Sequence, residues 1–165
     1  YGSLTVQSVI FAGGRSVSNG GGIHALGPLV VRDSVFLNNA GSAIRGESTS
    51  LIIERSVFTG NRYSFGAGIA AYLTDVTLHD STISGSQGVA VLVDRGVVDI
   101  NGTLFENNYV LGANPFGGAL VLRSTPDAVI SHSRFINNAT GNPNVAGYKD
   151  SAGGAISVED RKSVV

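Results

Sequence analysis

A chain of 165 residues is long enough to bury one domain's core, and 42% hydrophobic content excludes a disordered tail. A net charge of −1, with 14% of residues charged, excludes a protein that holds nucleic acid through clustered cations. Cysteine is absent, which excludes disulfide staples and thiolate metal sites, and no apolar run is long enough to span a membrane.

The chain begins at Tyr1 with no initiator methionine or signal peptide, which reads as a mature or excised piece. The first predicted unit carries apolar residues at Leu4 and Val6, an aromatic at Phe11, and a glycine block from Gly20 that ends on Ile23 and Ala25. The second repeats that order with Leu29, Val31, Phe36, Gly41, Ile44 and Gly46. The third has Leu51, Ile53, Phe58, Gly66, Ile69 and Ala71. The fourth departs most, with Val76, Leu78, Ile83 in the aromatic place, Gly88, Val91 and Val93. The fifth runs Val98, Ile100, Phe105, Gly117, Leu120 and Leu122. The sixth runs Ala128, Ile130, Phe135, Gly153, Ile156 and Val158.

Successive aromatic positions are separated by 25, 22, 25, 22 and 30 residues. Within each unit the apolar positions alternate, as in strands with one buried face, and helical periodicity is absent. Strands recurring at that interval with no helix between them predict an all-β, right-handed parallel β-helix of about six coils. Each coil then pairs with the next at about 4.8 Å, so like residues stack in columns. Phe36, Phe58, Phe105 and Phe135 are expected to stack inside. Three residues after each comes Asn39, Asn61, Asn108 and Asn138, expected to form an amide ladder at a sharp turn and to supply its left-handed backbone. Gly41 starts the return into a strand, where a Cβ would clash or positive φ is needed. A serine or threonine also recurs (Ser34, Ser56, Ser81, Thr103, Ser133), with Ser8 one place early in the first unit.

The FxxN and GGA[ILV] marks, the latter strict at Gly117–Leu120 and Gly153–Ile156, resemble the repeat of chlamydial-type polymorphic outer membrane proteins. The resemblance covers essentially the whole chain. It implies a right-handed β-helix in a surface-exposed, adhesin-like protein. Similar repeats occur in exported pectin-lyase-like proteins.

Charges concentrate three and four places before the aromatic. One column reads Arg32, Glu54, His79 and its neighbour Asp33, Arg55, Asp80, with signs alternating from coil to coil. Opposite charges on adjacent strands give modest stabilisation, about 0.2–1 kcal/mol per pair. The alternative is a polysaccharide-active wall in which Asp33 and Asp80 hold a cation and Arg55 acts as base, as resemblance to pectate lyases implies. Too few carboxylates are present for Ca²⁺, and arginine is a poor base. His24, His79 and His132 occupy different registers and make no ligand set. Neither a metal nor a cofactor is expected. Of two sequons, Asn101-Gly-Thr lies at an outward position and is the better glycosylation acceptor, whereas Asn138 belongs to the ladder.

Between aromatic and glycine the units span 9, 5, 8, 5, 12 and 18 residues. Insertions in a solenoid fall on one edge and often make a binding face. The two longest would place Tyr109, Asn114, Phe116, Asn142, Tyr148 and Lys149 in one patch for a protein or glycan. Residues 1–165 then form a single β-helix domain. Neither end resembles a cap, so they are expected to be an excerpt of a longer array, or to be covered by another chain at Leu4 and Val158. The expected role is a non-enzymatic extracellular or cell-surface module, adhesin-like or a spacer. The alternatives are the polysaccharide-active enzyme and a structural filament subunit.

Overall fold

A computed structural model describes residues 2–110, 117–140 and 154–159. Its strands form three parallel six-stranded sheets, with no helix among the described residues. The chain visits the three sheets in turn, coil after coil, which is a parallel β-helix.

The first sheet aligns Leu4–Gln7, Leu29–Arg32, Ser50–Glu54, Asp75–His79, Val98–Asn101 and Ala128–Ser131. The second aligns Ile10–Ala12, Val35–Leu37, Val57–Thr59, Thr82–Ser84, Leu104–Glu106 and Arg134–Ile136. The third aligns Arg15–Ala25, Ala40–Glu47, Ile69–Tyr72, Val91–Asp94, Leu120–Arg123 and Ile156–Glu159. The registers are those of the sequence repeat. Leu29 pairs with Leu51, Phe36 with Phe58 and Ile44 with Ile69, and each column continues in step from rung to rung. A one-residue slip would turn every core side chain to solvent, so the alternation itself enforces the register.

The inward residues of all three sheets meet in one core. Phe36, Phe58, Phe105 and Ile83 are fully buried, whereas Phe11 and Phe135, on the first and last rungs, are half-buried. The rings of Phe11, Phe36 and Phe58 stack with centroids 4.9 and 4.7 Å apart, and those of Phe105 and Phe135 stack at 4.6 Å. The spacing is that of the strands, so one repeat length serves both the backbone and the rings.

Three left-handed corners turn each of the second to fifth coils. In the second coil they are Asp33 (φ 48), Asn38 (φ 53) and Ser48 (φ 53). The left-handed residue at the FxxN corner is therefore the one before the ladder asparagine. Gly13, Asn38, Gly60, Gly85, Asn107 and Asn137 occupy it, which corrects the assignment of that backbone to Asn39. Asparagine and glycine tolerate φ > 0 best, and Asn39 is left free to hydrogen-bond inward. Gly41 (φ 116) and Gly88 (φ 125) do need glycine, and a Cβ on Gly88 would lie 1.7 Å from the Tyr63 carbonyl oxygen.

A second, smaller apolar cluster lies outside the third sheet. Leu92 and Val121 point away from the core yet are buried with Val89 and Val110, against Phe65 and Tyr72. Leu4 is 51% exposed on the first rung and Val158 is 74% exposed on the last.

Candidate functional site

At the FxxN corner each asparagine accepts through its amide oxygen from the coil before it. Asn61 Oδ1 receives the Asn39 backbone N–H at 3.0 Å and Asn39 Nδ2 at 2.9 Å. Its own Nδ2 donates to the Phe36 carbonyl at 3.0 Å, a backbone group that Ile83 supplies equally well to Asn108. Asn138 does the same for Asn108, and donates to the Phe105 carbonyl. Ser86 stands where the fourth asparagine would be, and its buried hydroxyl has no partner. The recurring serines form a second ladder at the corner before the aromatic. Ser34, Ser56 and Ser81 each accept a backbone N–H from the previous coil and donate to a carbonyl two residues back. Both ladders satisfy buried backbone groups that the corners remove from the sheets.

The charged wall lies on the outer side of the first sheet and its corner. Arg55 grips Asp33 with two bonds, 2.8 and 3.1 Å, and Arg32 Nε donates to Glu54 at 2.7 Å. Hydrogen bonds from Arg55 and Arg32 hold the Asp33 and Glu54 carboxyls below their ordinary range, and the Asp33 bond raises the Arg55 guanidinium further. His79 breaks the column pattern. Its Nε2 lies 2.9 Å from Asp99, a residue of the next strand two places before its own column partner Asn101. The alternation expected down the column thus holds through Glu54 and then becomes diagonal. Among the described residues no group of three or more His, Asp or Glu is placed to hold a metal ion.

A second polar surface follows the third sheet. Arg45 bonds Glu47 and the Ser18 carbonyl, and its guanidinium lies 4.7 Å from the Tyr72 ring centroid. Arg123 bonds Glu159 at 3.1 Å. Burial raises the Tyr72 phenol.

Of the predicted loop patch, Tyr109 is half-buried in the short strand Tyr109–Val110, which pairs with Ala139–Thr140. Asn114, Phe116, Asn142, Tyr148 and Lys149 lie outside the described residues. Asn101 is half-buried at the end of its strand, and the Asn138 amide is engaged in the ladder. One column escaped the sequence reading. Directly after the ladder position come Arg15, Ala40, Arg62, Gln87 and Tyr109, joined rung to rung by parallel bridges. Aligning the residue that follows each FxxN would have found it, but its members share no chemistry.

No protein-family model matches the chain, and no curated protein matches it. Among solved structures it is similar to QnrB1, a plasmid-mediated fluoroquinolone resistance protein, at 9% identity over 94% of this chain and 84% of that one. The TM-score of 0.18 carries no argument about fold or function.

Proposed function

We propose that this chain is a non-enzymatic, extracellular or cell-surface β-helix module that presents a binding edge at fixed pitch, as an adhesin-like surface or a spacer. The observation that carries the reading is the pair of side-chain ladders, which link successive coils through buried groups, the serine ladder continuing across the step where the asparagine ladder is interrupted at Ser86. The likeness of its FxxN and GGA[ILV] repeats to the polymorphic outer membrane protein repeat supports the surface placement. No helix of the described residues is long and apolar enough to cross a membrane.

The polysaccharide-active alternative asks Arg55 to release a proton and Asp33 to hold a cation. The bidentate Arg55–Asp33 pair opposes both roles at once, because each group already neutralises the other. A glycan array and a depolymerisation assay on one sample test the proposal. Binding without new reducing ends is the expected result. Turnover that Arg55→Ala abolishes would replace this reading with the enzymatic one.

A further inference from the structure

Three adjoining hollows on the loop edge share one side chain, Arg62. The largest, about 640 Å³, runs from Arg15 and Val17 on the first coil to Arg62 and Tyr63 on the third. A second, about 340 Å³, continues past Tyr63 to Gln87, and a third, about 230 Å³, opens toward Asn38. The column register makes these hollows a trough along the solenoid axis. Arg15 pairs with Ala40, which bridges to Arg62, so a methyl group forms a low floor between two guanidinium groups.

The arginines of this trough differ from most of the others: besides them, only Arg134, on the outer side of the second sheet, forms no ion pair among the described residues. Arg32, Arg45, Arg55, Arg95 and Arg123 each meet a carboxylate. Among the described residues neither Arg15 nor Arg62 forms an ion pair, and no carboxylate lines any of the three hollows. Two unneutralised, exposed cations therefore face one concavity, two rungs apart, which is about 9.6 Å at the usual strand spacing.

We infer that the trough binds a linear anionic polysaccharide whose oxyanions recur along the solenoid axis. The inference rests on the surface-module reading above and adds its ligand class. A guanidinium recognises a planar or tetrahedral oxyanion through paired N–H donors. Polymers with an acidic group on alternate sugars present oxyanions at a pitch comparable to two rungs. The Tyr63 ring offers a face for a sugar ring, and the Asn38 and Gln87 amides can both donate to and accept from hydroxyls. Nucleic acid fits less well, because two cations release few counterions and the chain's net charge is −1. An acidic peptide such as poly-glutamate offers no sugar face for the Tyr63 ring.

The test is calorimetric titration with four probes: a hyaluronan octasaccharide (carboxylate alone), a heparin octasaccharide (sulfate and carboxylate), a neutral dextran oligosaccharide, and poly-glutamate. At least one anionic octasaccharide should bind, and the comparison of the two says which oxyanion the trough takes. Arg62→Ala and Arg15→Ala should each weaken that binding about tenfold, the loss expected for one charge-assisted contact. Arg134→Ala, at an exposed position on the outer side of the second sheet, should leave it unchanged. Thermal melting of the same variants should match the parent, since both trough arginines are exposed. Failure of both anionic octasaccharides to bind, retention of binding by the Arg15→Ala/Arg62→Ala double variant, or tighter binding of poly-glutamate would each overturn the inference while leaving the surface-module reading standing. A probe that is bound and cleaved, with Arg62→Ala abolishing binding, would support the trough and overturn the non-enzymatic reading.

Discussion

Asn61 shows how much one side chain carries here. It accepts two bonds from Asn39 and donates one to Phe36, all inside a corner where water is excluded. Asn61→Ala orphans the buried Asn39 N–H and removes the side-chain partner of the Phe36 carbonyl, and should cost about 1–3 kcal/mol for the group left unpaired. A melting temperature within a degree of the parent would contradict the ladder's energetic role. Ser86 is the converse case, because its hydroxyl is buried and unpartnered where an amide would complete the column. Ser86→Asn should give Asn61 an acceptor and raise stability by about 0.5–1.5 kcal/mol per bond gained; a lower melting temperature would show that the corner has no room. Asp33 and Glu54 add a pH term. Both carboxyls sit below their unfolded values of 3.8 and 4.5, so the unfolded chain takes up protons first as pH falls. Their contribution is full above about pH 4.5 and is lost as pH drops through the folded values. Asp33→Asn with Glu54→Gln should flatten the acid side of the melting profile and barely move its neutral side, because exposed pairs contribute little. An unchanged acid slope would place the effect on other carboxylates.

At the level of strands and corners, what recurs in six copies is legible, and what occurs once is not. The columns headed by Leu4, Val6, Phe11 and Ile23 repeat one chemistry on every rung, so the register could be read from letters alone. The asparagine ladder was legible for the same reason. The left-handed corner was misassigned because Asn38 and Asn39 are the same residue type, and only the backbone distinguishes the turning one from the bonding one. The serine column was visible, but its bonds were not, since a hydroxyl column reads equally well as solvated surface. The outer apolar cluster drew on Phe65, Tyr72, Leu92 and Val121, which no period links. The trough was hidden likewise, as Arg15, Ala40, Arg62 and Gln87 share a place but not a property. A strand's energy lies mostly in its inward residue. Phe58→Ala, at a fully buried site stacked on Phe36, should cost about 3–5 kcal/mol through lost burial and the cavity left behind. Near-neutral melting would mean that the coils collapse into the gap.

Over the whole molecule, stability in a solenoid is close to a sum over neighbouring coils, so one weak interface can divide it. That interface lies between the third and fourth coils. The phenylalanine stack runs from Phe11 to Phe58 and resumes only at Phe105, because Ile83 stands between. The amide ladder stops at the same step, where Ser86 follows Asn61. Backbone pairing continues unbroken across it, with Gln87 N–H donating to the Asn61 carbonyl at 2.9 Å, so the coils remain in register while two of their side-chain links are missing. The fourth coil is bound more fully to the fifth, since the Ser86 N–H donates to Asn108 Oδ1 at 3.0 Å and the Asn108 amide donates to the Ile83 carbonyl at 2.9 Å. The rod should therefore open in two blocks, coils one to three and coils four to six. Native-state hydrogen exchange reads this directly: the Val31 amide in the second coil and the Ile100 amide in the fifth should report different opening free energies. Ile83→Phe combined with Ser86→Asn restores both columns, so the two amides should converge and the thermal transition should sharpen. Amides that already open together in the parent protein would show that backbone pairing alone makes the six coils one cooperative unit.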